Sequence, residues 1–161
     1  MEGCILYRAI KDGEEIEVFN IIRKAFNEFI SPEYSDEGID EFMKYIEPSN
    51  IANRLKKNHF MVVATDQNNI VGIIEVRNYS HISLYFVDKS YQGHGIGREL
   101  YEISIERCKM RNQNLEKITV NSSPYAANIY KKLGFKQVDS ENTIHGIRFI
   151  PMELDLLKKD R

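Results

Sequence analysis

Residues 92–97 read Gln-Gly-His-Gly-Ile-Gly and are followed by Arg98 and Glu99. A hydrophobic run ends shortly before them and helical periodicity begins at Ile96, so the glycines fall where a strand becomes a helix. The first turn of a helix carries unpaired N–H groups and about half a positive charge, and glycine removes the Cβ that would hold an anion away. Such a junction suits the pyrophosphate of a coenzyme. A P-loop would need lysine and then Ser or Thr after its last glycine, where this chain has Arg98 and Glu99. A dinucleotide fingerprint needs G-x-G-x-x-G at the head of a parallel sheet, whereas this chain has G-x-G-x-G after antiparallel strands. The reading that remains is Q-x-x-G-x-G at a strand-to-helix junction.

Two side chains in the strands before this turn are candidates for proton transfer. Glu75 stands between Ile74 and Val76 and shares a strand face with Val71 and Ile73. A carboxylate there lies either beside a ligand cleft or on a solvent-exposed strand face. His81 opens the next strand, with Ser83 and Tyr85 on its face, and an unperturbed imidazole suits a general base. A water chain, or a base outside these strands, is the third alternative. His94 reads as a solvent-facing member of the glycine turn, and His59 and His145 as strand-end or loop residues. Cys108 falls on an apolar helical stripe and reads as core. No His, Cys, Asp and Glu set has metal-ligand spacing, so no metal is expected.

The elements that position these residues follow from periodicity and punctuation. A short strand at 5–8 precedes the turn at Asp12-Gly13, and apolar residues at helical spacing predict a helix over 14–29, ended by Ser31-Pro32. A second helix is predicted from Ser35, with Ile39, Phe42, Met43 and Ile46 on one face. Pro48-Ser49-Asn50 is read as closing it, with a further helical turn or two over 51–57. Strands at 60–64, 70–77 and 81–87 are joined by turns at Asp66-Gln67-Asn68-Asn69 and Asn78-Tyr79. The helix after Gly95 frays at 112–114, and a buried strand at 117–120 runs parallel to the strand before that helix. Ser123 as N-cap and Pro124 at the first helical position predict the last helix, with Ala126, Ile129, Tyr130 and Leu133 inward and Gly134 as C-cap. Two closing strands, 135–138 and 147–154, have a longer polar connection between them.

At 161 residues, the chain reads as a single domain, 1–161, with room for a substantial core. A net charge of −2 and only short basic clusters, at 54–57 and 158–161, argue against nucleic acid as a partner. No run approaches the roughly 18 apolar residues of a membrane helix, so no membrane partner is expected. Two cysteines far apart in sequence, Cys4 and Cys108, and no cationic, apolar leader pattern fit a reduced cytoplasmic setting.

The turn Gln92-Gly93-His94-Gly95-Ile96-Gly97, together with residues 121–135, resembles the GNAT superfamily of N-acetyltransferases. The second run meets the family's A-x-x-x-Y-x-x-x-G-F pattern with Ala126, Tyr130, Gly134 and Phe135. Both motifs occur in family order, separated by one helix and one strand, and the likeness covers roughly 60–154. The resemblance implies an α/β fold with a mixed, mostly antiparallel sheet of about seven strands, a V-shaped splay and about four flanking helices. It implies acetyl-CoA as cosubstrate and acetyl transfer to a primary amine by direct attack. On that basis Gln92, Gly93, His94, Gly95, Ile96, Gly97 and Arg98 cradle the pyrophosphate, and pantetheine lies in the splay against backbone near Phe86 and Val87. Asn121 and Asn128 contact the pantetheine arm, and the N–H of Phe86 or Val87 faces the oxyanion. Tyr130 falls on a core stripe, and spacing alone favours packing; in register with the motif, the resemblance makes it the general acid for the leaving thiolate.

The acceptor is read less directly. Residues 28–47 hold seven acidic side chains and a single lysine, Lys44, among aromatic residues, so this segment is either an acidic lip for a cationic amine or an ordinary solvated helix face. A small-molecule or peptide amine is the expected partner, and a homodimer through the C-terminal strands follows from the resemblance. The competing function class is a non-catalytic CoA-binding sensor or interaction module on the same fold.

Overall fold

The computed structural model describes residues 4–157. The basic cluster at 158–161 lies outside them. Strand β1 (Ile5–Ala9) leads into α1 (Glu15–Phe29), α2 (Asp36–Tyr45) and α3 (Pro48–Leu55). Three strands follow, β2 (His59–Asp66), β3 (Asn69–Arg77) and β4 (His81–Val87), and then α4 (Ile96–Arg111). The chain continues through β5 (Lys117–Ser122), α5 (Ala127–Lys132), β6 (Lys136–Gln137), β7 (Asn142–Ile144) and β8 (Ile147–Asp155). The sheet order is β1-β2-β3-β4-β5-β8-β6, with β7 paired to β8. All pairings are antiparallel except β4 with β5.

Both hairpin turns run through left-handed backbone, which their asparagines tolerate. Gln67 and Asn68 take φ of 51° and 70°, and Asn78 and Tyr79 take 54° and 53°. Positive φ at both central positions matches the right-handed twist of the flanking strands. β2 and β3 are buried on both faces, which explains their nearly unbroken hydrophobic sequence. Val62, Ile74, Val76 and Ile82 face a core shared with Ile96, Leu100 and Tyr101 of α4. Met61, Val63, Ile73 and Leu84 face a second core with Val18 and Ile22 of α1 and Ile51 of α3.

Two bulges set the shape of the sheet. Glu75 pairs with Leu84 and Val76 with Ile82, so Ser83 is an extra residue in β4. A bulge bends its strand and resets which side chains share a face. Pairing between β4 and β5 stops at the same place: His81 opposes Thr119, Ile82 opposes Val120, and beyond them the strands part. The V-shaped splay therefore opens at Ser83. The second bulge, at Val71, takes that residue off the face of Ile73 and Glu75.

Several boundaries differ from the sequence reading. Pro48 begins α3 as an N-terminal proline instead of closing α2, because its missing N–H is no loss there. Ser123 Oγ does accept the Ala126 N–H at 3.2 Å, but residues 124–126 form a turn and the regular helix starts at Ala127. Ile129 is consequently exposed, at 49%, while Ala127 and Tyr130 point inward. The polar connection contains β7, exposed along its length and therefore without the alternation that would reveal a strand. Its turn uses His145 and Gly146 at positive φ, and the Gly146 carbonyl packs so close to Gly38 of α2 that a Cβ there would run into it. The described residues thus form eight strands and five α-helices. Among the described residues no helix is long and apolar enough to cross a membrane.

Candidate active site

A cleft of about 420 Å³ opens where β4 and β5 part. One end is the glycine turn. Gly93 and Gly95 each take φ of +83°, a conformation an L side chain adopts only with strain. Gly95 is the residue before α4, so the turn delivers the free amides of that helix to the cleft. Gln92 Nε2 donates to the Val87 carbonyl at 3.1 Å, tying the turn to the end of β4. The Tyr85 hydroxyl donates to the Gly97 carbonyl, and a Cβ on Gly97 would sit 3.3 Å from that hydroxyl. Gln92, Gly93, Gly95, Gly97 and Arg98 line the cleft. His94 is exposed outside the lining, and the Ile96 side chain is buried in the core, leaving its backbone alone to serve an anion.

The middle of the cleft is bare strand edge. Asp88 N–H donates to the Val71 carbonyl at 2.8 Å, and Ile73 opposes Phe86 in the same register. Hydrogen-bonded pairs alternate along an antiparallel ladder, so Phe86 exchanges its bonds with Ile73 while the Val87 and Tyr85 amides turn toward the gap. Of the two N–H groups expected to face the cofactor, only that of Val87 is free to do so; Phe86 contributes its ring, with its centroid 6.3 Å from that of Phe42. Asn121 lines the opposite wall from β5, whereas Asn128 is exposed and lies outside the lining.

Tyr130 sits at the junction of cleft and core. It is buried, it lines the cleft, and among the described residues its hydroxyl has no hydrogen-bond partner. Its ring centroid lies 5.5 Å from Phe135 and 6.0 Å from Tyr85. Burial, followed by the neighbouring Tyr85, raises its pKa, so the phenol is held as the protonated donor. Gly134, at φ +107°, ends α5 and lets the Phe135 N–H reach back to the Tyr130 carbonyl at 3.0 Å. Tyr85, read in the sequence only as sharing the strand face of His81, also lines the cleft.

Neither candidate base lines the cleft. Glu75 is fully buried on the α3 side of the sheet, where Arg54 Nε and Nη2 donate to its two oxygens at 2.8 and 3.0 Å. Arg54 also donates to the Tyr45 carbonyl at 2.6 Å and lies 3.7 Å above that ring. His59 Nδ1 is 2.6 Å from Glu75 Oε2, close but outside hydrogen-bond alignment. His81 is displaced by the Ser83 bulge, which breaks the face it was expected to share with Tyr85. Its Nδ1 bonds Thr119 Oγ1 at 2.7 Å, and burial, then the charges of Arg77 and His59, push its pKa down to about 4. An imidazole that reluctant to take a proton is a poor base at neutral pH. The cluster of Arg54 with His59 and Glu75 was missed because its members come from separate elements with no linear motif.

The far end of the cleft is aromatic. Phe26, Phe29 and Ile30 come from α1 and its C-terminal end, Tyr34 and Phe42 from the following segment, and Tyr125 and Ile129 from the α5 region. Phe29 stacks on Tyr125 at 5.2 Å, bridging α1 to the turn before α5. None of the acidic side chains of 28–47 lines this end. Glu28 instead pairs with Lys89 at 2.6 Å.

Residues 30–156 match the family model described as an acetyltransferase (GNAT) domain. The chain belongs to the GNAT acetyltransferase family. Its fold is shared with a GCN5-related N-acetyltransferase from Rhodopseudomonas palustris, at a TM-score of 0.81 and 20% identity over 97% of this chain and 99% of that one. The PaiA N-acetyltransferase from Thermoplasma acidophilum, solved with coenzyme A, superposes at 0.79 with 17% identity over 94% and 99% of the two chains. An aminoglycoside 6'-N-acetyltransferase, also complexed with coenzyme A, gives 0.69 and 14% over 97% and 99%. For a GNAT fold the residues present suit a CoA-type ligand: a positive-φ glycine turn at a helix start, an unpaired strand edge beside it, and a buried hydroxyl at its end.

Proposed function

We propose that this GNAT protein is an acetyl-CoA-dependent N-acetyltransferase acting on a primary amine. The observation that carries the reading is the alignment along one cleft of the glycine turn, the free Val87 N–H and the unpartnered Tyr130 hydroxyl. Backbone amides from Gln92 to Arg98 hold the pyrophosphate, and Asn121 bonds the pantetheine arm from the opposite strand. Acetyl-CoA supplies a thioester whose carbonyl carbon the amine nitrogen attacks directly. The Val87 N–H faces the carbonyl oxygen as negative charge grows on it.

The protons balance without an enzyme-bound acyl group. A C–N bond forms as the C–S bond breaks, the Tyr130 hydroxyl gives its proton to the departing sulfur, and the nitrogen loses one proton to water. A proton returned through that water restores the phenol. The burial that raises the pKa of Tyr130 keeps the phenol protonated, and the same low dielectric strengthens a hydrogen bond from it to a charged sulfur. Glu75 belongs to a structural ion pair in this scheme, and water takes the place of a side-chain base.

Isothermal titration with acetyl-CoA, followed by product mass spectrometry across an amine panel, tests the proposal. Y130F is expected to lower kcat about 100-fold, within the usual range for general acid catalysis, while changing CoA affinity less than about threefold. No acetyl-CoA binding at millimolar ligand would refute the function, and an undiminished kcat in Y130F would return Tyr130 to packing.

A further inference from the structure

We infer that the acceptor is an amine carried on an aromatic body and bound as the neutral base, and that polycationic amines are poor acceptors. The inference rests on the acetyltransferase reading and concerns the end of the cleft away from the glycine turn. That end is walled by Phe29, Tyr34, Phe42 and Tyr125, with Phe26 and Ile30 buried behind them. The rings are already packed on one another: Phe42 on Phe26 at 4.1 Å and 11°, Tyr34 edge-on to Phe26 at 5.4 Å, Phe29 on Tyr125 at 5.2 Å and 17°. A preformed aromatic wall drawn from two helices and a turn accepts a flat apolar group without reorganising, which is the condition for strong recognition.

The charge around this wall argues against an acceptor with several ammonium groups. Among the described residues lining the cleft there is no Asp, Glu or His, and the sole ionised side chain is Arg98, at the glycine-turn end. Glu28, the acidic residue next to Phe29 in sequence, is engaged by Lys89, whose Nζ lies 5.8 Å from the centre of the Phe29 ring. The Tyr34 hydroxyl donates to the Arg148 carbonyl at 3.2 Å, and the Arg148 guanidinium bonds Glu141 at 2.7 Å. An amine with several ammonium groups would lose hydration here and find no carboxylate in return.

The same absence of counter-charge solves the proton problem of the acceptor. Burial among apolar rings disfavours an ammonium, so the neutral amine is the form that enters and attacks. No side-chain base is then required in the cleft. The proton leaves to bulk water before entry, and the second is released as the amide forms.

The test compares 2-phenylethylamine and aniline with spermidine and kanamycin at saturating acetyl-CoA, by thiol release and product mass. The kcat/KM for 2-phenylethylamine should exceed that for either polycation at least tenfold and should climb about tenfold per pH unit below the amine's own pKa. F29A and Y125A, both altering partly exposed rings, should each raise its KM at least fivefold with unchanged CoA affinity; F29E should narrow the preference over spermidine. Polycations acetylated as well as or better than 2-phenylethylamine would overturn the acceptor class and leave the acetyltransferase function standing. Acetyl-CoA binding with no product from any amine would overturn both.

Discussion

Replacing Glu75 with glutamine separates a structural carboxylate from a catalytic one. The side chain is fully buried, and both oxygens are taken by Arg54, itself only 15% exposed, with His59 against Oε2. E75Q keeps the volume and one acceptor oxygen but leaves the Arg54 guanidinium without a counter-charge. Removing one partner of a buried ion pair costs about 3–5 kcal/mol. The retained amide oxygen puts E75Q near the lower end, about 3 kcal/mol. In a chain of 161 residues, each kcal/mol moves Tm by about 2–4 °C, so the expected drop is about 6–12 °C. Calorimetric melting alongside kcat, measured at a temperature where the variant is fully folded, reads both quantities. The structure predicts a lowered Tm with kcat within about threefold of the parent. The double variant R54M/E75L should recover much of the loss, because the penalty comes from the orphaned charge more than from missing attraction. A Tm within about 2 °C of the parent, combined with a hundredfold fall in kcat, would refute the reasoning and make Glu75 the base.

Two further expectations follow from backbone and titration chemistry. Gly95 holds φ +83° and a Cβ there meets nothing within 4 Å, so G95A is strained without a clash. Left-handed backbone costs an L residue about 1–2 kcal/mol. In an exposed turn that strain relaxes by moving the amides, so the CoA dissociation constant should rise about 5- to 30-fold with little change in Tm; titration calorimetry that finds an unchanged constant would remove the cradle from this turn. His81 has its pKa lowered from 6.5 to about 4, so the unfolded chain binds its proton more readily than the folded one. Its contribution to stability is complete above about pH 6.5 and is lost as pH falls toward 4. H81N should flatten denaturation midpoints across that window and leave the pH–rate profile between about 6 and 8 as it was; a shifted profile would restore His81 as a base.

How far sequence alone reached depended on the range of the interaction involved. The glycine turn, both hairpin turns, the Ser35 cap and the Tyr130-Gly134-Phe135 spacing were legible because each is decided by a few consecutive residues. The sequence erred where a neighbour distant in sequence decides. Pro48 and Ser123 were placed a few residues out because helix ends depend on what they pack against. The roles offered to Glu75 and His81 rested on strand alternation, and bulges at Val71 and Ser83 interrupt that alternation on either side of them. No composition rule marks either bulge.

The sequence by itself determined that a glycine turn at residues 92–97 leads into a helix and that Tyr130 stands one turn before the Gly134-Phe135 helix end. Glycine φ preferences and helical spacing are local properties that survive in any fold. Only the tertiary structure decided that the strands part at Ser83, that Val87 presents the free amide, and that Glu75 is neutralised by Arg54 on the other side of the sheet. It also decided the polarity of the acceptor end. Seven acidic residues in 28–47 left open an acidic lip or an ordinary solvated helix face; none of them lines the cleft, and α1 and α2 turn Phe26, Phe29 and Phe42 inward. An amphipathic helix buries its apolar face and leaves its charges in water, so the composition of a segment reports its surface while the cleft is built from what that surface hides.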